Sequence, residues 1–202
     1  MKRIRLSRVA IYAVLILFCL FYLMPFYVMV ITSLKPYEEL NVTRMWELPK
    51  TLSIEGLVEA WQRVAPNFRN SIEITVPAAL ISSVLGSING YIFAKWRFKG
   101  SDTIFMLFMF GMFLPYQGIL IPLVRTLQAF HLYGTQLGLI LTHCIFGIPI
   151  TALLFRGYYA GIPDELLDAG KIDGCGFFRL YRHILLPISM PAFGVVLLWQ
   201  FT

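Results

Sequence analysis

Charge divides this chain into long uncharged runs. Residues 9–34 lie between Arg8 and Lys35, 74–94 between Glu73 and Lys95, and 103–124 between Asp102 and Arg125. Residues 126–155 lie between Arg125 and Arg156, with 137–155 the apolar part, and a fifth run follows His183 to residue 202. A helix rises about 1.5 Å per residue, so about 20 residues cross the hydrocarbon of a bilayer. Each run is long enough. Lipid offers no hydrogen bonds, so a spanning backbone must satisfy itself as helices or as a closed barrel. Barrel strands alternate polar and apolar residues, whereas Ile104-Phe105-Met106-Leu107-Phe108-Met109-Phe110 does not alternate. Only 14% of the residues are charged and 58% are hydrophobic, against about 25% charged in soluble domains. The expected fold is an all-α polytopic membrane protein with about five spans represented.

Lysine and arginine orient the spans. The tail 1–8 carries Lys2, Arg3, Arg5 and Arg8; the second span is followed by Lys95, Arg97 and Lys99; the fourth is followed by Arg156, Lys171, Arg179 and Arg182. These alternate segments hold 11 of the 17 basic residues and define the cytoplasmic side. The net positive charge is thus a topology signal and implies no nucleic-acid partner. The first run is too long for a signal-peptide core and lacks an A-x-A-like site before Lys35. Cys19 and Cys144 fall in spans and Cys175 on the reducing side, so they are read as packing residues rather than a disulfide or metal set.

The segment 35–73 is the long outer one, with six acids and Pro36, Pro49 and Pro66. Within it, Ile54, Leu57, Val58 and Trp61 recur at helical spacing, which predicts a short amphipathic helix over 54–64 lying on the outer surface. At the other end the fifth run has no closing basic flank. A C-terminal portion is therefore expected beyond residue 202.

The inner segment 156–187 has a pattern of its own. On a helix over 162–172, Ile162, Leu166, Leu167 and Ala169 fall on one side and Asp164, Glu165, Asp168 and Lys171 on the other. Pro163 suits the first helical position, and acids in the first turn suit the helix dipole. Residues 173–176, Asp-Gly-Cys-Gly, read as a turn. A second short helix follows, with Phe177, Leu180, Tyr181 and Ile184 on one face, and Pro187 marks the passage into the fifth span. Periodicity alone fits either a docking element or a helix pair resting on lipid headgroups.

Asp168-Ala169-Gly170, three residues, Gly174, nine residues and Ile184-Leu185-Leu186-Pro187 resemble the cytoplasmic signature E-A-A-x3-G-x9-I-x-L-P of ATP-binding-cassette import permeases. Asp168 stands for the usual Glu. Gly170 stands for the second Ala, which weakens a helix by up to about 1 kcal/mol. Thr32-Ser33-Leu34-Lys35-Pro36, Asn70-Ser71, Pro115 with Gln117, and Ile162-Pro163-Asp164-Glu165-Leu166 are similar to the carbohydrate branch, in particular the maltose-type inner permease subunit. The resemblance implies a transporter permease helical bundle of six spans in the complete protein, occupying 9–202 here, in a bacterial or archaeal plasma membrane. It implies a second homologous permease, two cytoplasmic ATPase subunits and an external solute-binding protein as partners. It also implies an ATPase-coupling loop over 156–187, carried by Pro163, Asp164, Glu165, Leu166, Asp168, Ala169, Gly170, Asp173, Gly174, Ile184 and Pro187. The chain would be no enzyme and bind no cofactor; ATP and Mg would sit on the partner ATPase. Consistent with that division, the sequence holds no G-x4-G-K-[ST] phosphate loop.

Polar groups inside spans suggest a solute path or helix-to-helix hydrogen bonds. Asn89, Gln117 and His143 are the candidates. Gly86 and Gly90 form a small-x3-small pair suited to close helix contact, and Pro115 predicts a break in the third run. An ion-driven carrier is disfavoured, because no acid lies inside spans two to five and no internal repeat is visible. A permease for a non-sugar solute such as a polyamine, peptide or phosphate would carry the same loop.

Overall fold

A computed structural model describes residues 6–96 and 98–201. Lys2, Arg3 and Arg5 of the basic tail, and Arg97, lie outside the described residues. The helices are α1 (Leu6–Ser33), α2 (Glu55–Lys95), α3 (Ser101–Met112), α4 (Tyr116–Ala129), α5 (Gln136–Ala160), α6 (Asp164–Ile172), α7 (Phe177–Leu180), α8 (Leu186–Ile188) and α9 (Met190–Phe201). No strand occurs among the described residues. Arg8–Ser33, Glu55–Lys95 and Gln136–Ala160 are each long and apolar enough to cross a bilayer. Two bent pairs pass the same test together: Ser101–Met112 with Gln117–Ala129, at 98°, and Phe177–Ile188 with Met190–Phe201, at 78°. Counting each pair as one gives five spans.

Two compact units divide the chain, at Met1–Arg69 and Asn70–Thr202. In the first, α1 exposes apolar side chains all round, among them Leu17, Phe21 and Tyr22, as a helix made for lipid or a neighbouring subunit does. Cys19 is exposed with them. The segment after α1 folds back on itself. Lys35, read above as a flanking charge and as part of the 32–36 resemblance, is buried and donates from Nζ to the Arg44 carbonyl at 2.9 Å. Asn41 accepts from the Thr43 N–H at 3.0 Å and so caps the short turn Val42–Arg44. The Glu39 carboxylate accepts from the Lys50 N–H at 3.0 Å and the Thr51 hydroxyl at 2.9 Å. Both donors favour the charged form, the Lys50 N–H most, and hold Glu39 below the usual carboxylate range.

The expected separate helix over 54–64 does not exist: residues 55–64 open the 41-residue α2. Residues 65–73 contain no glycine, and the turn formers Pro66-Asn67 and Asn70-Ser71 do not interrupt the helix. Breaking the helix there would orphan several N–H and C=O groups, whereas Pro66 removes only one donor. The third run is two helices, as Pro115 suggested. Pro115, extended at ψ 121°, caps α4, and its ring pushes Leu114 before it out of the helical region. Residues 126–129, placed above in the fourth run, complete α4, and the fourth span proper is α5.

In the second unit the seam between α2 and α5 is lined by small residues. Ala78, Ala79, Ser82, Ser83, Gly86, Ser87 and Gly90 are buried on α2, with Gly147, Thr151, Ala152 and Phe155 buried on α5. A Cβ on Gly86 would lie 1.9 Å from Thr151 Oγ1, and one on Gly90 2.8 Å from the Arg156 backbone N. Only glycine lets the helices approach this far. The Thr151 hydroxyl reaches the Ser82 carbonyl at 3.0 Å, and Cys144 Sγ lies 3.6 Å from the Ala78 carbonyl. At the far end, Gln200 of α9 donates to the Gly147 carbonyl at 3.0 Å.

Candidate functional site: the loop between α5 and α9

Pro163, extended at φ −58° and ψ 137°, precedes α6 as its cap, one position earlier than the sequence suggested. Asp164 and Glu165 occupy the first turn, where the helix dipole favours acids. The helix ends on a glycine stop. Gly174 has φ +76°, its N–H bonds to Lys171 O at 3.0 Å, and the Cys175 N–H bonds to Gly170 O at 2.9 Å. These two bonds form a Schellman closure, which needs a left-handed residue just past the helix. A Cβ on Gly174 would meet nothing within 4 Å, so backbone angle, not crowding, requires the glycine. Asp173 is the C-cap residue, its N–H on Ala169 O.

The inward face of α6 differs from the expected one. Ile162, Leu167 and Gly170 are buried, while Leu166 and Ala169 are exposed. Ile162 lies ahead of the helix, so the 100° register starts at Asp164 and centres on Leu167 and Gly170. Gly170 is more than a weak helix former: a Cβ there would lie 2.6 Å from Leu180 Cδ2 and 2.7 Å from Ile184 Cδ1. The second arm packs across the first at that point. Asp168 pairs with Lys171 at 2.8 Å on the exposed rim, where such a pair adds little. Leu166, Ile172 and Phe178 remain uncovered, Ile172 being 87% exposed.

The second arm also departs from a plain helix. After α7 a π turn spans Tyr181–Leu185, and the Leu186 N–H bonds back to Tyr181 O. This wide turn stands just ahead of Pro187, which has no N–H to give. The bend into the last span falls at Ser189, two residues beyond the expected Pro187.

Residues that sequence reasoning passed over hold the loop in place. Lys95, at the end of α2 with its side chain 7% exposed, donates to Ile162 O at 2.5 Å and to Asp164 Oδ1 at 2.6 Å. Tyr91 stacks on Phe177 at 4.8 Å between ring centroids and on Tyr181 at 6.1 Å. Buried hydroxyls then form a chain: Tyr181 donates to Ser87 at 3.0 Å, Ser87 and Tyr159 lie 2.6 Å apart, Tyr159 donates to Ser189 at 3.2 Å, and Ser189 to Leu186 O at 3.0 Å. With Ser87 donating to Tyr159, every hydroxyl in the chain is satisfied. The serine and tyrosine content of spans gave a weak hint of this; the pairings become visible only in three dimensions. Arg156 lies 3.9 Å above the Phe105 ring and pairs with Asp102 at 3.3 Å.

Asn89, Gln117 and His143 do not converge. Asn89 turns back to Leu85 O of its own helix at 2.7 Å, and Gln117 is exposed in the first turn of α4. His143 lines a cavity of about 300 Å³ with Thr75, Ala78, Gln200 and Phe201, which includes neither of the others.

The family profile described as "Binding-protein-dependent transport system inner membrane component" matches residues 82–202. The chain is 34% identical over 219 residues to the xylose/arabinose import permease protein XacI of Haloferax volcanii, covering 98% of this chain and 71% of that protein. It is 32% identical over 193 residues to AmyC of Thermoanaerobacterium thermosulfurigenes, a probable permease for transport of starch degradation products, covering 95% and 70%. In fold it matches a chain of a bacterial ABC transporter involved in import of the acidic polysaccharide alginate, with a TM-score of 0.79 at 19% identity over 100% of this chain and 71% of that one. The chain belongs to the family of inner-membrane components of binding-protein-dependent transport systems.

Proposed function

We propose that this integral membrane protein is the permease subunit of an ATP-driven importer for a sugar or oligosaccharide, in the plasma membrane of a bacterium or archaeon. It forms half of the translocation path beside a second homologous permease. Two cytoplasmic ATPase subunits bind and hydrolyse ATP with Mg, and an external binding protein delivers the solute. This chain carries no catalysis and holds no cofactor. Its own part is mechanical: a stiff element whose position differs between two global states.

The observation that carries this reading is the α6 arm with its glycine stop. Lys95 holds one end of it, Gly174 closes the other, and Leu166, Ile172 and Phe178 stand exposed between polar rims. Such a surface suits a cleft in a partner better than water. The coupling residues would be Pro163, Asp164, Glu165, Leu166, Asp168, Ala169, Gly170, Asp173, Gly174, Ile184 and Pro187. His143, with Gln200, is the solute-path candidate that lines a cavity, and Asn89 and Gln117 lie outside that cavity. The saccharide assignment rests on the named substrates of the relatives. Uptake by the assembled transporter in proteoliposomes, assayed with xylose, arabinose, glucose and malto-oligosaccharides, tests it. Saturable, ATP-dependent uptake of one of them is expected. Uptake of a polyamine, peptide or phosphate in place of every saccharide would overturn the sugar assignment, and uptake without ATP would overturn the importer.

A further inference from the structure

We infer that Ser87, Tyr91 and Lys95 form one ridge on α2 that takes up the displacement of the 156–187 loop, making α2 the span through which that loop acts. This rests on the coupling role proposed above. The three residues are spaced i, i+4, i+8, so they stand above one another on one helix face. Each grips a different part of the loop. Lys95 holds the first arm, with Nζ on Ile162 O at 2.5 Å and Asp164 Oδ1 at 2.6 Å. Tyr91, 1% exposed, stacks on Phe177 and Tyr181 of the second arm. Ser87, fully buried, accepts from Tyr181 at 3.0 Å and meets Tyr159 at 2.6 Å, whose hydroxyl continues to Ser189 at the 78° bend.

Both arms and the bend are therefore tied to a single face of α2. The glycines Gly86 and Gly90 lie one residue before Ser87 and Tyr91 and serve the neighbouring seam with α5. A close-packed interior transmits strain rather than absorbing it. The buried ammonium of Lys95 and the hydroxyl chain resist sliding, because separating them strands buried polar groups. Tyr158 offers a contrast: its hydroxyl bonds to Ile188 O at 2.7 Å, joining α5 to the same arm with no hydrogen bond to Ser87, Tyr91 or Lys95.

Hydrogen exchange on the complete transporter in nanodiscs tests this, comparing the nucleotide-free complex with one trapped by Mg-ATP and vanadate. In the parent protein, trapping is expected to change exchange in 164–172 and in 82–96. Lys95→Met and Tyr181→Phe should keep the change in 164–172 and reduce that in 82–96 by about fivefold or more, the lower end of usual coupling strengths. Tyr181→Phe keeps the ring stack and removes one hydroxyl, and Lys95→Arg, which keeps a donor, should restore most of the response. Tyr158→Phe should leave both changes intact. A full α2 response in both Lys95→Met and Tyr181→Phe overturns the ridge while leaving the loop's role standing. No response in either segment of the parent complex, or no ATPase bound to it, overturns the coupling role and the ridge with it.

Discussion

Replacing Gly90 by alanine tests the α2–α5 seam on which the loop is mounted. The new Cβ would lie 2.6 Å from Phe155 Cβ, 2.8 Å from Arg156 N and 3.0 Å from Phe155 C. Two of these atoms are backbone, so no side chain can swing aside to make room. Carbon contacts are comfortable from about 3.5 Å, so α2 and α5 must part by roughly 1 Å. Overpacking of this kind costs about 1–3 kcal/mol. Parting also stretches the Thr151–Ser82 and Ser87–Tyr159 hydrogen bonds, at about 0.6 kcal/mol each in membrane proteins. Gly157→Ala on α5 is the control, since its Cβ would meet nothing within 4 Å. The helix-propensity gain of alanine, up to about 1 kcal/mol, applies to both and cancels in the comparison. Gly90→Ala should thus be less stable than Gly157→Ala by about 2–4 kcal/mol, read from reversible unfolding of the purified protein in mixed micelles. Equal stability of the two would refute the close-contact account.

Gly174 should tolerate asparagine better than alanine, because the left-handed φ of +76° costs an ordinary L-residue about 1–2 kcal/mol and asparagine less. Exchange of the Cys175 N–H, bonded to Gly170 O, should quicken about tenfold in Gly174→Ala and little in Gly174→Asn; equal rates would show that the angle is not the constraint. For the segment 36–52, the depressed Glu39 carboxyl contributes stability present above its ordinary pKa of 4.5 and lost as pH falls through the lowered value. Limited proteolysis should then show loosening on acidification in the parent and none in Glu39→Gln; acid loosening of the variant to the same degree would assign it elsewhere. A single cysteine at Thr51 should react with an impermeant maleimide added outside the cell and one at Lys99 should not; the reverse pattern would overturn the topology.

Long, uncharged runs made the helical membrane fold legible, because lipid permits little else. The break at Pro115 was legible for the same kind of reason, since proline acts locally whatever surrounds it. The join of 54–64 to the second span was not: helix continuation depends on what a break would orphan, which no periodicity reports. In the loop, Gly174 could be placed by its spacing, and its left-handed angle is the local cause. Gly170 was misjudged as a propensity defect, because its reason, the approach of Leu180 and Ile184, is tertiary. Lys95 shows the limit most clearly. As a flank of a span it reads as a topology mark, and only the fold carries its ammonium to Ile162 and Asp164. The solute-path residues were chosen by chemistry alone, and chemistry does not bring Asn89, Gln117 and His143 to one cavity.

A photo-crosslinking residue at Ile172, 87% exposed on the uncovered face of α6, examines the central claim most directly. In intact cells, illumination should join this chain to an ATPase subunit of the same transporter. The same group placed at Leu17, in the middle of the apolar run of α1, should not reach that subunit. Adducts from Ile172 to lipid alone, in cells where the assembled transporter is present, would contradict the account and leave the loop as a pair of helices resting on the membrane.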